Sequence, residues 1–220
     1  MPALSNDGPI WILDLGDSEN RFSPTFLATV TEQLDDIASS ADSAVLVTTA
    51  TGKFFSNGLD LAWLAAHPEQ TQSYVAQVQA LLAKVLTFPA PTVAAVNGHA
   101  FGAGAMLAVA HDFRLMRQDR GFFCFPEVDI NIPFTPGMAA LIQAKLTPDA
   151  AVESMTTGRR YGGTEAAARG IVRATSTADA LATDAHALAG TLVGKHKHTL
   201  GKIKSTMYAG AAAALTAAGA

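Results

Sequence analysis

The chain has 220 residues, of which 49% are apolar and only 15% charged, with a net charge of −4 and a single cysteine. This is enough apolar material for a large buried core. An acidic balance, with a pI of about 5.8, offers no field to hold nucleic acid. Cys124 alone rules out an internal disulfide and a cysteine zinc cluster. The longest apolar runs, 91–96 and 103–110, fall far short of the roughly 20 residues that cross a bilayer, so no membrane association is expected. The opening residues 1–7 lack the basic start and apolar stretch of a signal peptide.

Residues 10–15 read as a strand. Ser23-Pro24 supplies an N-cap and a first-turn proline, and Phe26, Leu27, Val30, Leu34 and Ile37 follow at helical spacing. Residues 44–48 form a short buried strand rich in β-branched side chains. A second long helix is marked by Tyr74, Val75, Val78, Leu81, Leu82, Val85 and Leu86, and Pro89 and Pro91 stop it. Thr92–Val96 is again a buried strand, 98–104 a glycine-rich turn, and 105–110 a helix. Residues 113–116 and 122–125 read as further strands, and from Thr135 the pattern is helical, broken at Thr147-Pro148 and at 158–163. Strands alternating with helices predict an α/β core with parallel pairing, in which ligands bind at the carboxyl ends of strands.

Two loops lie at such ends. In Phe54-Phe55-Ser56-Asn57-Gly58-Leu59-Asp60-Leu61, Gly58 permits a sharp turn that leaves the N–H of Leu59 pointing into a cleft; an ordinary strand-to-helix turn would use the same residues. In Asn97-Gly98-His99-Ala100-Phe101-Gly102-Ala103-Gly104-Ala105, three glycines follow a buried strand and open a helix, whose free N–H groups and dipole favour negative charge. Close strand–helix packing is the structural alternative there. The glycine order is not that of a dinucleotide fingerprint.

With Pro91-Thr92-Val93-Ala94-Ala95-Val96-Asn97-Gly98, Phe125-Pro126-Glu127-Val128-Asp129-Ile130, Thr157-Gly158-Arg159-Arg160-Tyr161, Thr164-Glu165-Ala166 and Gly170-Ile171-Val172, these loops resemble the crotonase family, the enoyl-CoA hydratase/isomerase superfamily. The resemblance covers most of the chain, from about residue 10 to residue 172. It implies an α/β fold with a ββα spiral core, placed at 1–175, and a helical C-terminal extension at 176–220. It also implies an acyl-CoA thioester substrate whose carbonyl oxygen is gripped by the backbone N–H groups of Leu59 and Ala103. Ser56, Asn57, Gly58, Asp60, Leu61 and Gly102 would bind the substrate, with Lys204 of the basic cluster 195–204 reaching a CoA phosphate; a solvated helix face is the equal alternative for that cluster. The same likeness implies a homotrimer or hexamer, with no metal and no cofactor beyond the CoA carried by the substrate. Ala218-Gly219-Ala220 is not a Ser-Lys-Leu-type address, so a cytoplasmic setting is expected.

The acids narrow the chemistry. Family hydratases carry two glutamates; the first of those positions here is Met106, and Glu127 fills the second. Dienoyl-CoA isomerases add an Asp eight residues after their Pro-Glu acid, where this chain has Thr135. One carboxylate suits a Δ3,Δ2-enoyl-CoA isomerase, Glu127 taking a proton from C2 and returning it to C4. Apolar neighbours such as Phe125 and Pro126 would raise its pKa. A displaced-acid hydratase, a thioesterase, a decarboxylase and a non-catalytic crotonase-fold binding subunit are the alternatives. His99 and Asp129 read first as structural; the alternatives are that His99 bonds a ligand and that Asp129, sharing a strand face with Glu127, tunes or replaces it. No Gly-x-Ser-x-Gly elbow surrounds Ser56, and His111-Asp112 reads as a helix end rather than a metal site.

Overall fold

The computed structural model describes residues 1–40 and 44–217; Ala218-Gly219-Ala220 lies outside them. Gly8-Pro9 turns the chain between β1 (Ala3–Asp7) and β2 (Ile10–Asp14), an antiparallel hairpin with Asp7 opposite Ile10. Sequence pattern does not reveal β1, because nearly all of it is exposed and its residues carry no apolar alternation. Ser23 caps α1 (Pro24–Ser39) as expected, its side chain accepting from the N–H of Phe26 at 3.2 Å. All five apolar residues picked out on that helix are buried, each stabilising by about 1.5–3 kcal/mol.

From β3 (Val45–Thr49) onward the chain alternates between two sheets. β4 (Phe54–Ser56) leaves the first sheet for a second; α2 (Leu61–Ala66) and α3 (Thr71–Leu86) return it to β5 (Thr92–Val96). β6 (His99–Phe101) leads into α4 (Ala103–Ala110), and β7 (Phe113–Arg117) is followed by β8 (Phe123–Cys124). The six-stranded sheet runs β1-β2-β3-β5-β7-β9, the last strand being Ala174–Ser176, and the three-stranded one β4-β6-β8, parallel everywhere except at the hairpin. The segment expected to be only a glycine-rich turn therefore contains β6. It is too short to show a period, and its pairing with β4 and β8 makes it a strand.

α5 (Pro136–Lys145), α6 (Pro148–Thr157) and α7 (Gly163–Ala168) follow, broken where the proline and glycines predict. β9 (Ala174–Ser176) then adds an edge strand that the helical reading of this region misses. α8 (Leu181–Gly190) covers one face of the large sheet, placing Leu181, Ala185 and Ala189 on Val45, Val93 and Leu115. The helices α1, α3, α4 and α5 bury the main core on the other face. β5 is thus covered on both faces, which is why it reads as an unbroken apolar run. α9 (Lys197–Met207) leads to α10 (Ala209–Thr216), the alanine-rich segment, which packs on α3 and α5.

Candidate active site

The ends of β4 and β6 meet at Gly58. Its φ is +75°, and a side-chain carbon there would stand 2.7 Å from the Phe101 carbonyl oxygen and 2.9 Å from the Ala103 nitrogen. Only glycine lets the two loops touch in this way. Around it the backbone is held: Asn57 N–H donates to Glu19 O at 2.8 Å, and Gly58 N–H to Ser56 Oγ at 3.1 Å. Gly58 O accepts from Phe22 N–H at 2.8 Å. On the second loop, Gly102 N–H donates to Cys124 O at 3.0 Å, and Gly102, at φ +51°, is the uncapped N-terminal boundary of α4. Between these held groups, the N–H of Leu59 and the N–H of Ala103 have no hydrogen-bond partner among the described residues. Both residues line a cavity of about 240 Å³. The Ala103 donor opens α4, so the helix dipole adds to its preference for a developing negative charge; the Leu59 donor is a loop N–H.

Glu127 enters the same cavity from the turn after β8. Asp129 N–H and Ile130 N–H both donate to Pro126 O, and Asn131, at φ +57°, closes the turn so that Ile132 N–H donates to Glu127 O at 3.0 Å. Glu127 is 8% exposed, and a carbon built on Gly102 would meet its Oε1 at 3.3 Å, so the carboxyl lies over the start of α4. Oε2 is buried and has no partner among the described residues. Burial pushes its pKa up to about 7, against a smaller lowering by its own backbone N–H. Phe101, Pro126, Ile130 and Ile132 supply apolar wall, and Leu61 and Asn57 complete that side. Glu127 is the only carboxylate in the lining among the described residues. Arg21 is the lining cation, paired with Glu19 at 2.5 Å and reaching Leu59 O at 3.4 Å.

Sequence reading thus places Leu59, Ala103, Glu127, Asn57, Leu61 and Gly102 on one cavity, with Gly58 behind it. Three others, Ser56, Asp60 and Lys204, lie off that cavity. Ser56 is fully buried, its Oγ donating to Asn20 O at 2.7 Å, so it shapes the loop from behind. Asp60 caps α2, accepting from Trp63 N–H at 3.0 Å. Lys204 is 3% exposed and stands away from this cavity; its ammonium lies 2.7 Å from Ala90 O and 2.5 Å from Asp112 Oδ2.

Asp129 is on a turn, not a strand, and its carboxylate lies against Gly158. His99 Nδ1 accepts from Phe122 N–H at 3.2 Å, and burial with the nearby Lys53, Arg120 and Arg160 lowers its pKa. Met106 is buried in α4, and Thr135 caps α5 while donating to Gln79 Oε1 at 2.7 Å. Neither of these positions lines the cavity. His111 bonds Leu107 O and Thr48 Oγ1, as a helix-end residue does. No cluster with metal-binding geometry exists among the described residues. Arg21 and Ile132 sit outside every motif quoted above, and Ile130, within the Pro-Glu motif, carries no chemical group to single it out.

A spiral of ββα units spread over two sheets is the architecture of the crotonases. The chain belongs to the enoyl-CoA hydratase/isomerase family, whose model matches residues 12–220. It is 40% identical over 181 residues to enoyl-CoA delta isomerase 2, peroxisomal, of Arabidopsis thaliana, covering 78% of this chain and 75% of that one. It is 41% identical over 179 residues to enoyl-CoA delta isomerase 3 of the same plant, with the same coverage. The fold matches that of human mitochondrial delta3-delta2-enoyl-CoA isomerase with a TM-score of 0.89, at 20% identity over 97% of this chain and 85% of the human one.

Proposed function

We infer that this chain is a Δ3,Δ2-enoyl-CoA isomerase in which Glu127 serves as base and then as acid. The observation that carries the reading is the lone carboxylate: Glu127 faces the two free N–H groups, and no second acid lines the cavity among the described residues. The names of the plant relatives support the same activity. The thioester oxygen of a 3-enoyl-CoA accepts from Leu59 N–H and Ala103 N–H. Glu127 takes the C2 proton, the electron pair moves onto that oxygen, and the dienolate is held by the two donors. Glu127 then delivers the proton to C4, and the double bond comes to rest between C2 and C3. No water is consumed and the carboxylate is regenerated. A pKa of about 7 keeps the base form populated at neutral pH while leaving it strong enough to accept a carbon-bound proton. Each donor contributes on the order of 3–4 kcal/mol to such a barrier.

The test is incubation with a medium-chain 3-enoyl-CoA, following ultraviolet absorbance as the double bond enters conjugation and weighing the product. An absorbance rise with unchanged mass is expected; a product heavier by one water would replace isomerisation with hydration. The reading also carries assembly as a homotrimer or hexamer. Apolar side chains exposed beside the cavity, Val128 and Ile130, support it, and sedimentation equilibrium measures it.

A further inference from the structure

We propose that Tyr74 is a positioning residue for the Leu59 N–H donor, acting through a closed ring of hydrogen bonds behind the cavity. This rests on the reading of Leu59 N–H as a grip on the thioester oxygen. Tyr74 stands on the first turn of α3, 1% exposed, and does not line the cavity. Its hydroxyl donates to Phe22 O at 2.8 Å and accepts from Asp60 N–H at 2.9 Å. Phe22 N–H in turn donates to Gly58 O at 2.8 Å. Gly58 O belongs to the same peptide unit as the Leu59 N–H, and Asp60 N–H belongs to the next one. Both peptides flanking the Leu59 α-carbon are therefore tied to a single residue, Phe22, one directly and one through the tyrosine hydroxyl.

Two consequences follow. The donor peptide cannot rotate without breaking a bond at one end of the ring. A hydrogen bond to the carbonyl of a peptide also polarises its N–H, making that N–H a better donor. The hydroxyl can play both parts only while protonated, and burial raises its pKa to about 12, so it stays so across the working range. The ring of Trp63 packs against that of Tyr74 at 5.2 Å and holds it in place. The apolar spacing of α3 counts Tyr74 as a core residue, which its ring is; the oxygen does the second job.

The experiment compares wild type with Tyr74→Phe, which removes one oxygen. Catalytic positioning is sensitive to shifts well under 1 Å, so kcat is expected to fall on the order of tenfold with KM nearly unchanged. The deciding readout is spectroscopic. A conjugated arylacryloyl-CoA bound in the cavity absorbs at longer wavelength when donors polarise its carbonyl, and this red shift is expected to shrink in Tyr74→Phe. A variant that melts earlier but keeps the wild-type red shift and kcat when folded would overturn the proposal and leave Tyr74 a purely structural residue. The red shift is read without turnover, so an inactive wild type would refute the isomerase reading alone. Should Tyr74→Phe not fold, replacing the three tyrosines by difluorotyrosine keeps the shape and weakens the hydroxyl as an acceptor. A changed red shift then supports the ring, and an unchanged one overturns it. Tyr208 bonds Lys145 instead, and neither it nor Tyr161 lines the cavity.

Discussion

Replacing Glu127 by glutamine should make the protein more stable while disabling it, and the gain should depend on pH. The carboxyl is 8% exposed and its pKa is pushed from 4.5 to about 7 by burial. At 1.36 kcal/mol per unit, that displacement is worth about 3 kcal/mol. The folded pKa lies above the unfolded one, so the folded state holds the proton more tightly. Its contribution is complete below about pH 4.5 and is lost as the pH rises through about 7. Glutamine does not titrate and escapes that loss. Urea unfolding of both proteins at pH 4 and pH 8 measures it, with equal m-values as the check that only stability has changed. The stability of Glu127→Gln relative to wild type should improve by about 3 kcal/mol between the two conditions. Groups common to both proteins, such as buried His111 with its pKa lowered to about 4, cancel in the difference. A relative stability equal at both pH values would refute the claim that burial strains this carboxylate.

Three further outcomes follow from the geometry. Gly58→Ala puts a carbon 2.7 Å from Phe101 O and 2.9 Å from Ala103 N, so both donors move; kcat should drop by about 10²-fold or more, measured by the conjugation assay, with the protein still folded by circular dichroism. Gly102→Ala, at φ +51°, crowds Glu127 Oε1 at 3.3 Å and should lower kcat with a smaller effect on KM. Lys204→Met leaves Asp112 with only its Thr92 partners. It should cost about 3 kcal/mol in urea unfolding, yet leave KM for the CoA substrate unchanged in the folded protein.

Much of this molecule is legible in its residues, for identifiable reasons. β5 could be read because burial on both faces forces an apolar run, and α1 because one wet face imposes a helical period. β1, β6 and β9 could not: each has at most five residues, and their strand character comes from a neighbour's backbone rather than their own side chains. At the site, Gly58, Gly102 and Glu127 were visible because a positive φ and a Pro-Glu turn leave marks in sequence. The residues expected at the site but found off the cavity share a cause. Ser56, Asp60 and Lys204 are polar residues near or within motifs, and only the folded chain reveals that they bond Asn20 O, Trp63 N–H and Asp112. Tyr74 shows the converse, an apolar-looking helix position whose one oxygen closes a ring around the donor loop.

The most direct measurement is kcat/KM for a 3-enoyl-CoA between pH 5 and pH 9, for wild type beside Glu127→Gln. A lone carboxylate base with a pKa of about 7 predicts a wild-type rate that climbs through that pH and levels off above it. The variant should be slower by about 10²- to 10⁴-fold and lack that titration. A Glu127→Gln enzyme within tenfold of wild type, with the same pH profile, would contradict the assignment of Glu127 as the group that moves the proton.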